Sequence, residues 1–285
     1  MEPKLKEFYV PVRNNIPAHR IAYTEWGEGP KALFCIHGLA RNSRDFDFLA
    51  KELAKNYRVI CVDIAGRGKS EWLEDKLQYN YFTYVSDILA LVEHLQLEKI
   101  DWVGTSMGGL IGVFTSLFAP KLINNMVLND IGPFMPKDAL QRIAKYVGLV
   151  PEFTNLDQAE RHFRTILAPF GIEKDEHWRH VVLHGTMTNS RGYLTTACDP
   201  GIATAFFYGK AIHEITDVEI WKDWDKLDLP ILVIRGGESD ILLGDTTTKM
   251  LHKPKVELAV LEHVGHAPAL MNEHQINLIK NWLIK

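Results

Sequence analysis

The sequence has little that would suggest a disulfide-stabilised or nucleic-acid-binding protein. Its 285 residues include only three cysteines, Cys35, Cys61 and Cys198. Their odd number and wide spacing match neither a disulfide framework nor a zinc ribbon, so we expect reduced thiols. Basic residues are not in excess: 32 lysines and arginines against 36 acidic residues give a formal net charge of −4. Without a basic field, nucleic acid is not an expected partner.

Long hydrophobic runs are also missing. The longest nearly apolar run, Gly108–Pro120, is too short to cross a bilayer, which takes about 20 residues. The segment Met1–Phe8 mixes lysine and glutamate with apolar residues and has no apolar stretch typical of a secretion signal. We therefore expect a cytoplasmic protein without a membrane span.

What the sequence does contain is an alternation of strand and helix patterns. Strand patterns, rich in β-branched and aromatic residues, cover Leu5–Val12, His19–Trp26, Ala32–Ile36, Arg58–Val62, Ile100–Val103, Leu122–Leu128, Pro230–Ile234 and Val256–Leu261. The first two are separated by a predicted turn at Asn14-Asn15. Helical spacing covers Arg44–Lys55, Tyr81–Leu95, a segment from Met107, and Ala269–Leu283. This alternation predicts an α/β fold with a mostly parallel central sheet and helices on both faces.

One segment interrupts that alternation. Helical patterns cover Lys137–Tyr146, Leu156–Leu167 and Asp175–His184, with no convincing buried strand among them. We predict a helical cap at residues 133–212, inserted into a core formed by residues 1–132 and 213–285.

The residues Gly104-Thr105-Ser106-Met107-Gly108-Gly109 carry the strongest functional signal. They follow a predicted strand and open a predicted helix. The tight reversal between strand and helix places the backbone of Ser106 under strain and exposes its hydroxyl. Gly104 and Gly108 keep the two backbones close. This context predicts that Ser106 is a nucleophile.

A serine hydroxyl needs a base, and the base needs a carboxylate to orient it. His266 is the preferred base because it lies in a loop between the last strand and the last helix, whereas His263 lies nearer the strand end. Two acids precede it, each just after a strand. We predict Asp240 as the acid of the triad and keep Asp130 as the alternative, either as a backup acid or as a turn residue.

Acyl transfer also needs donors for the negatively charged oxygen of the intermediate. We predict the backbone amides of Met107, next to the nucleophile, and of Leu39, in the loop His37-Gly38-Leu39-Ala40. The His37 ring is expected to bond the loop backbone rather than to act in catalysis.

Together these residues resemble the α/β-hydrolase fold superfamily, in its serine-nucleophile branch with a helical cap. The resemblance covers nearly the whole chain and includes the His37-Gly38 loop, the turn at Ser106, Asp240, His266 and the segment Asp63–Ser70. For Arg67 and Lys69 in that segment we expect a structural role. The resemblance implies a carboxylesterase-like activity on small acyl or aryl esters, with a small-molecule substrate and no cofactor.

Two other functions stay open. Carbon–carbon hydrolases of ring-fission products share the Ser106–Gly109 run, but their oxyanion loop is rich in glycine and proline, unlike the loop at His37. A cap arginine pointing at Ser106 would favour that activity. Arg161, Arg164 and Arg191 lie in the predicted cap, where one of them could bind a substrate carboxylate. A non-hydrolytic ligand receptor on the same fold is the second alternative. The sequence does not indicate the oligomeric state.

The cap is expected to supply most of the pocket wall. Its aromatic candidates are Phe134, Phe153, Phe170, Trp178, Phe206, Phe207 and Tyr208, of which we expect two or three to touch substrate. His177, His180 and His184 share one face of a predicted helix. No acidic ligand is clearly placed with them, so no metal site is predicted.

Overall fold

A sheet of eight strands forms the centre of the protein, for which a computed structural model describes residues 2–13, 16–207 and 210–285. The predicted turn at Asn14-Asn15 and the candidate pocket residue Tyr208 lie outside the described residues. The strands are β1 (Lys4–Val10), β2 (His19–Trp26), β3 (Lys31–Ile36), β4 (Tyr57–Val62), β5 (Ile100–Thr105), β6 (Ile123–Asn129), β7 (Phe134–Met135), β8 (Thr186–Thr188), β9 (Leu194–Thr196), β10 (Val218–Glu219), β11 (Ile231–Gly236) and β12 (Val256–Leu261).

The helices lie between these strands and inside the predicted insertion. They are α1 (Asp47–Leu53), α2 (Tyr81–His94), α3 (Met107–Phe118), α4 (Lys137–Ala144), α5 (Leu156–Ile166), α6 (Asp175–Gly185), α7 (Ile202–Phe207), α8 (Trp221–Trp224), α9 (Gly244–Met250) and α10 (Glu273–Leu283). None of the helices in the described ranges is both long enough and apolar enough to cross a membrane.

The central sheet has the strand order β1-β2-β4-β3-β5-β6-β11-β12. The pairs β1/β2 and β2/β4 are antiparallel, and every other neighbouring pair is parallel. The predicted α/β fold with a mostly parallel sheet is therefore confirmed. Because the carboxyl ends of the parallel strands meet at one edge of the sheet, the loops that follow β3, β5, β6, β11 and β12 come together there.

Helices cover both faces of the sheet, which explains the apolar runs of its strands. Along β3, Phe34 packs in the cluster that contains α2 and α3, whereas its neighbours Leu33 and Cys35 pack with α1 and α10 on the other face. Cys35 lies opposite Cys61 in the register of β3 and β4, and both thiols are buried and free. A strand buried on both faces carries no alternation of polar and apolar residues.

The segment between β6 and β11 lies outside the central sheet. It carries α4, α5 and α6, as the helical patterns predicted. It also carries α7 and a short antiparallel hairpin of β8 and β9, which the sequence did not indicate. A second antiparallel pair joins β7 to β10. Because β7 and β10 connect the two ends of the segment, we propose that the cap extends beyond residue 212 to the end of β10.

Candidate active site

Ser106 lies at the reversal between β5 and α3, in the strained conformation that the sequence predicted. Its φ is 50° and its ψ is −116°, outside the regions that a non-glycine residue usually adopts. A Cβ atom at Gly104 would lie 2.4 Å from the carbonyl oxygen of Gly108, and one at Gly108 would lie 2.0 Å from that of Ile36. Both positions therefore require glycine, and the close approach of strand and helix holds the Ser106 hydroxyl above the sheet edge.

His266 contacts that hydroxyl directly. Ser106 Oγ lies 2.9 Å from His266 Nε2, although the two residues are 160 positions apart in the sequence. The imidazole is largely buried, with 9% of its side chain exposed. The alternative base, His263, is 93% exposed and lies 3.7 Å from Glu238, so it faces solvent.

The carboxylate that reaches His266 is Asp130, which corrects our preference for Asp240. Asp130 Oδ2 accepts a hydrogen bond from His266 Nδ1 at 2.8 Å. The carboxylate of Asp240 instead accepts two hydrogen bonds from Arg142 of α4, at 2.6 and 2.8 Å. Asp240 is 45% exposed, whereas Asp130 is fully buried.

The turn after β11 explains why Asp240 points away. The amide of Ser239 donates to Gly236 O at 3.0 Å, which closes the turn. Ser239 lies inside it, and its hydroxyl donates to Asp130 Oδ2 at 2.6 Å, while the amide of Gly236 donates to Asp130 Oδ1 at 2.8 Å. The inward position that an acid would need is therefore filled by Ser239, and Asp240 faces the cap.

Two supporting residues were not anticipated from the sequence. One is Ser239, described above. The other is Asn129, whose buried amide group donates to Thr105 Oγ1 at 3.0 Å and to Pro268 O at 2.8 Å. Asn129 thus ties Thr105, the residue before Ser106, to the loop that carries His266. A polar residue at the end of a buried strand was the available signal, because buried polar groups are almost always hydrogen-bonded.

The loop after β3 holds a peptide unit in a defined orientation beside Ser106. His37 Nδ1 donates to Gly38 O at 2.7 Å, and the amide of Ile64 donates to His37 Nε2 at 3.0 Å. Burial lowers the pKa of His37 to about 3, so the ring stays neutral. Because the carbonyl and amide of a trans peptide point in opposite directions, anchoring Gly38 O turns the Leu39 amide the other way. His37 has the structural contacts that we expected.

Arg67 hydrogen-bonds the same loop. Its buried guanidinium donates to Leu39 O and to Ala65 O, both at 2.8 Å, and to the hydroxyl of Tyr84 at 2.8 Å. It also lies 3.6 Å from the sulfur of Met107. These contacts are those of a structural residue that fixes the two segments whose amides we predicted as oxyanion donors.

The histidine stripe of α6 faces the core. His180 and His184, together with Asp47, form a cluster whose ligand-type atoms all lie within 4.8 Å of one another. Arg44 already supplies a positive charge there, because its Nε donates to Asp47 Oδ2 at 2.7 Å and its Nη1 lies 3.4 Å from His184 Nδ1. His177 packs against Phe48 instead. A metal ion would have to displace Arg44, so these residues do not fit one.

The three cap arginines named from the sequence do not face Ser106. Arg164 pairs with Glu160 and Asp175, Arg191 pairs with Glu152, and Arg161 is exposed. The arginines that line the cavity at Ser106 and His266 are Arg41 and Arg142.

Three of the aromatic candidates reach the cavities around Ser106. Phe170 lines the cavity that holds His266, and Phe206 and Phe207 line a second one. Phe153 and Trp178 are buried in the core of the cap, and Phe134 lies in β7.

Comparisons with known proteins agree with this architecture. A model of the α/β-hydrolase fold family matches residues 31–272. The chain is 38% identical over 267 residues to a 3-hydroxybutyrate-oligomer hydrolase of Cupriavidus necator, covering 90% of each protein. It is 27% identical over 270 residues to the esterase Rv0045c of Mycobacterium tuberculosis, covering 90% of this chain and 84% of that one.

Solved structures give the same answer. A putative hydrolase from Rickettsia typhi superposes with a TM-score of 0.92 at 34% identity, over 99% of each chain. On the extent of the family match, the identity to these relatives and the shared sheet, the chain belongs to the α/β-hydrolase fold family.

Proposed function

We propose that the protein is a serine hydrolase that cleaves carboxylic esters, with Ser106 as nucleophile, His266 as general base and Asp130 as the orienting acid. The observation that carries this proposal is the continuous chain of hydrogen bonds from Ser106 Oγ to His266 Nε2, 2.9 Å, and from His266 Nδ1 to Asp130 Oδ2, 2.8 Å. It starts at a strained serine at the head of a helix, the arrangement in which such a hydroxyl is exposed to substrate.

The mechanism follows from these contacts. Asp130 accepts a hydrogen bond from the Nδ1–H of His266, which keeps the proton on Nδ1 and leaves Nε2 free to take the proton of Ser106 as its oxygen attacks the ester carbonyl. The amide of Met107 begins helix α3 and has no acceptor within the helix. Together with the Leu39 amide it would bind the developing oxyanion. His266 then protonates the leaving alcohol, and water hydrolyses the acyl-enzyme.

The relatives support an ester as substrate. One of them is named for hydrolysing 3-hydroxybutyrate oligomers and another is named an esterase. A small-molecule ester, including an ester of a hydroxy acid, is therefore the substrate class that we propose. The carbon–carbon hydrolase alternative has one cap arginine at the cavity of Ser106, Arg142, but that guanidinium is paired with Asp240. Ester hydrolysis is the function that we propose, because the names of the relatives favour it.

A Ser106→Ala variant tests this proposal. Hydrolysis of p-nitrophenyl butyrate should fall by about 10³-fold or more, since loss of a triad nucleophile removes the covalent route. Labelling by a fluorophosphonate probe should also disappear. Circular dichroism and the melting temperature should be unchanged, because the hydroxyl makes no contact that the fold depends on. Ester hydrolysis that survives at the wild-type rate would refute the assignment.

A further inference from the structure

Two cavities meet at Ser106. One has a volume of about 180 Å³ and the other about 400 Å³. Leu39, Ser106, Ile143 and Ile202 line both of them. Because Ile143 belongs to α4 and Ile202 to α7, the cap forms part of the partition between the cavities, together with Leu39 of the loop after β3, and the serine lies where they join.

The cavities differ in which reacting groups they contain. His266 lines only the smaller cavity, and Met107 lines only the larger one. The proton that His266 takes from Ser106 must be given to the departing alcohol oxygen, so the alcohol has to leave on the side of His266. The acyl group, which stays bonded to Ser106, then extends into the cavity beside Met107.

The larger cavity is lined by apolar side chains from the core and the cap. Those that line it alone include Leu110, Phe114, Met135, Leu140, Phe206 and Ile220. Among the described residues that line it, Lys210 is the charged one, and it is exposed. A lining of this kind binds a hydrocarbon chain or ring through burial of apolar surface.

The smaller cavity is also lined largely by apolar side chains, among them Leu167 and Phe170, with a few polar groups on its cap side. Arg142 and Tyr146 come from α4 and the turn after it, and His162 comes from α5. Its volume, less than half that of its neighbour, sets a limit on the size of the group that it admits.

Building on the proposed function, we propose that the substrates are esters of a medium-chain or aryl carboxylic acid with a short alcohol. The acyl part occupies the larger cavity and the alcohol the smaller one. In the acylation step the bond from Ser106 Oγ to the acyl carbon forms and the bond from that carbon to the alcohol oxygen breaks. The serine proton passes through His266 to the alcohol, and the acyl chain remains in the larger cavity.

Two matched series of esters test this assignment. Ethyl esters from acetate to octanoate vary the acyl part, and acetate esters from ethyl to octyl vary the alcohol. For the wild-type protein, kcat/KM should rise along the acyl series by up to about fourfold per methylene, the effect of burying one such group. Along the alcohol series it should stay flat or fall.

Two cavity-filling variants make the test directional. Ala205 of α7 is half-buried and lines only the larger cavity, so Ala205→Trp should bring octanoate down to the level of acetate. Ile166 of α5 is half-buried and lines only the smaller cavity. Ile166→Trp should leave the acyl profile unchanged and reduce turnover of the longer alcohols.

The possible results separate this inference from the proposed function. A rise along the alcohol series, a flat acyl series, or an acyl profile that Ala205→Trp does not alter would overturn the assignment while ester hydrolysis stands. If no ester is cleaved and a fluorophosphonate probe does not label Ser106, both proposals fall together. The two wild-type profiles decide the assignment even if a variant does not fold.

Discussion

The turns that follow β6 and β11 each present an aspartate at the same edge of the sheet, and they use it differently. Asp130 is fully buried and accepts hydrogen bonds from Gly236 N, Ser239 Oγ and His266 Nδ1. Asp240 is 45% exposed and forms an ion pair with Arg142 of the cap. The comparison shows that a strand end brings a carboxylate to the right edge, whereas the neighbouring donors decide what it does there.

The energetic reason is the cost of burying a charge. A carboxylate removed from water is stable only if donors replace the solvent. The turn after β6 meets that requirement with two donors from the next turn and one from the imidazole. An exposed ion pair such as Asp240–Arg142 contributes about 0–1 kcal/mol and needs no such surroundings.

The largest expected effect comes from exchanging each acid for its amide. Asp130→Asn should lower kcat by about 10⁴-fold, because the asparagine amide group would favour the wrong tautomer of His266 while keeping the shape of the side chain. Asp240→Asn should leave kcat within about twofold. Steady-state kinetics with p-nitrophenyl butyrate at pH 7.5 measures both.

Asp240→Asn is the matched control, since it removes the same charge at the same edge of the sheet. Its melting temperature should differ little from that of the wild type, consistent with a half-exposed ion pair. If Asp240→Asn lost activity and Asp130→Asn kept it, the comparison would be reversed and our original assignment of the acid restored.

A second effect concerns stability and separates buried from exposed titratable groups. Burial lowers the pKa of His37 to about 3, below the value of about 6.5 for an unfolded chain. Between these two pKa values the unfolded state binds a proton that the folded state does not, so acidification favours unfolding. The stability of the fold with a neutral, buried His37 is therefore fully present above about pH 6.5. It is lost as the pH falls through that window, by up to about 1.4 kcal/mol per pH unit.

Urea unfolding at pH 7, 6 and 5 measures that loss. His37→Asn should be less stable than the wild type at pH 7 and should show a shallower decline on acidification. His263→Gln is the control, because His263 is 93% exposed and its removal should leave the wild-type slope. An unchanged slope in His37→Asn would show that His37 is not the buried group responsible.

The smallest effect is expected at Ser239, whose hydroxyl contacts Asp130 rather than His266 and also accepts hydrogen bonds from the amides of Ile241 and Leu242. Ser239→Ala removes the hydroxyl that donates to Asp130 Oδ2 at 2.6 Å and should lower kcat by about 10-fold, the equivalent of about 1.4 kcal/mol, with KM nearly unchanged. Thr248→Ala is the control, since it deletes an exposed hydroxyl that bonds only Gly244 O. A wild-type kcat in Ser239→Ala would show that the remaining donors suffice.

The sequence predicted most of the fold because its patterns are local and repetitive. Strand β2 and helix α6 each begin at the predicted residue, and the apolar run of β3 is buried on both faces. It also predicted the strained turn at Ser106 and its contact with His266, since a glycine-bounded turn and a loop after the last strand are themselves sequence features. The hairpin of β8 and β9 was missed because its strands are short and only partly buried.

The acid could not be chosen from the sequence for a physical reason. Asp130 and Asp240 each follow a strand of the sheet, and the choice depends on where the side chain of Ser239 points inside a turn of four residues. That orientation is fixed by contacts between β6, β11 and the His266 loop, which are distant in sequence. Asp130 also has a positive φ of 57°. Aspartate can adopt that conformation, but the presence of an aspartate does not predict it.

The amide group of Asn129 binds both the residue before the nucleophile and the loop of the histidine. The side chain of Asn129 therefore fixes the position of Ser106 relative to the His266 loop through contacts within the core, without a contribution from the cap. Substitutions that reshape the cap can change which esters bind while the arrangement of Ser106 and His266 in the core is preserved. A core that positions these residues independently of the cap is suited to acquiring new substrates through changes in the cap alone.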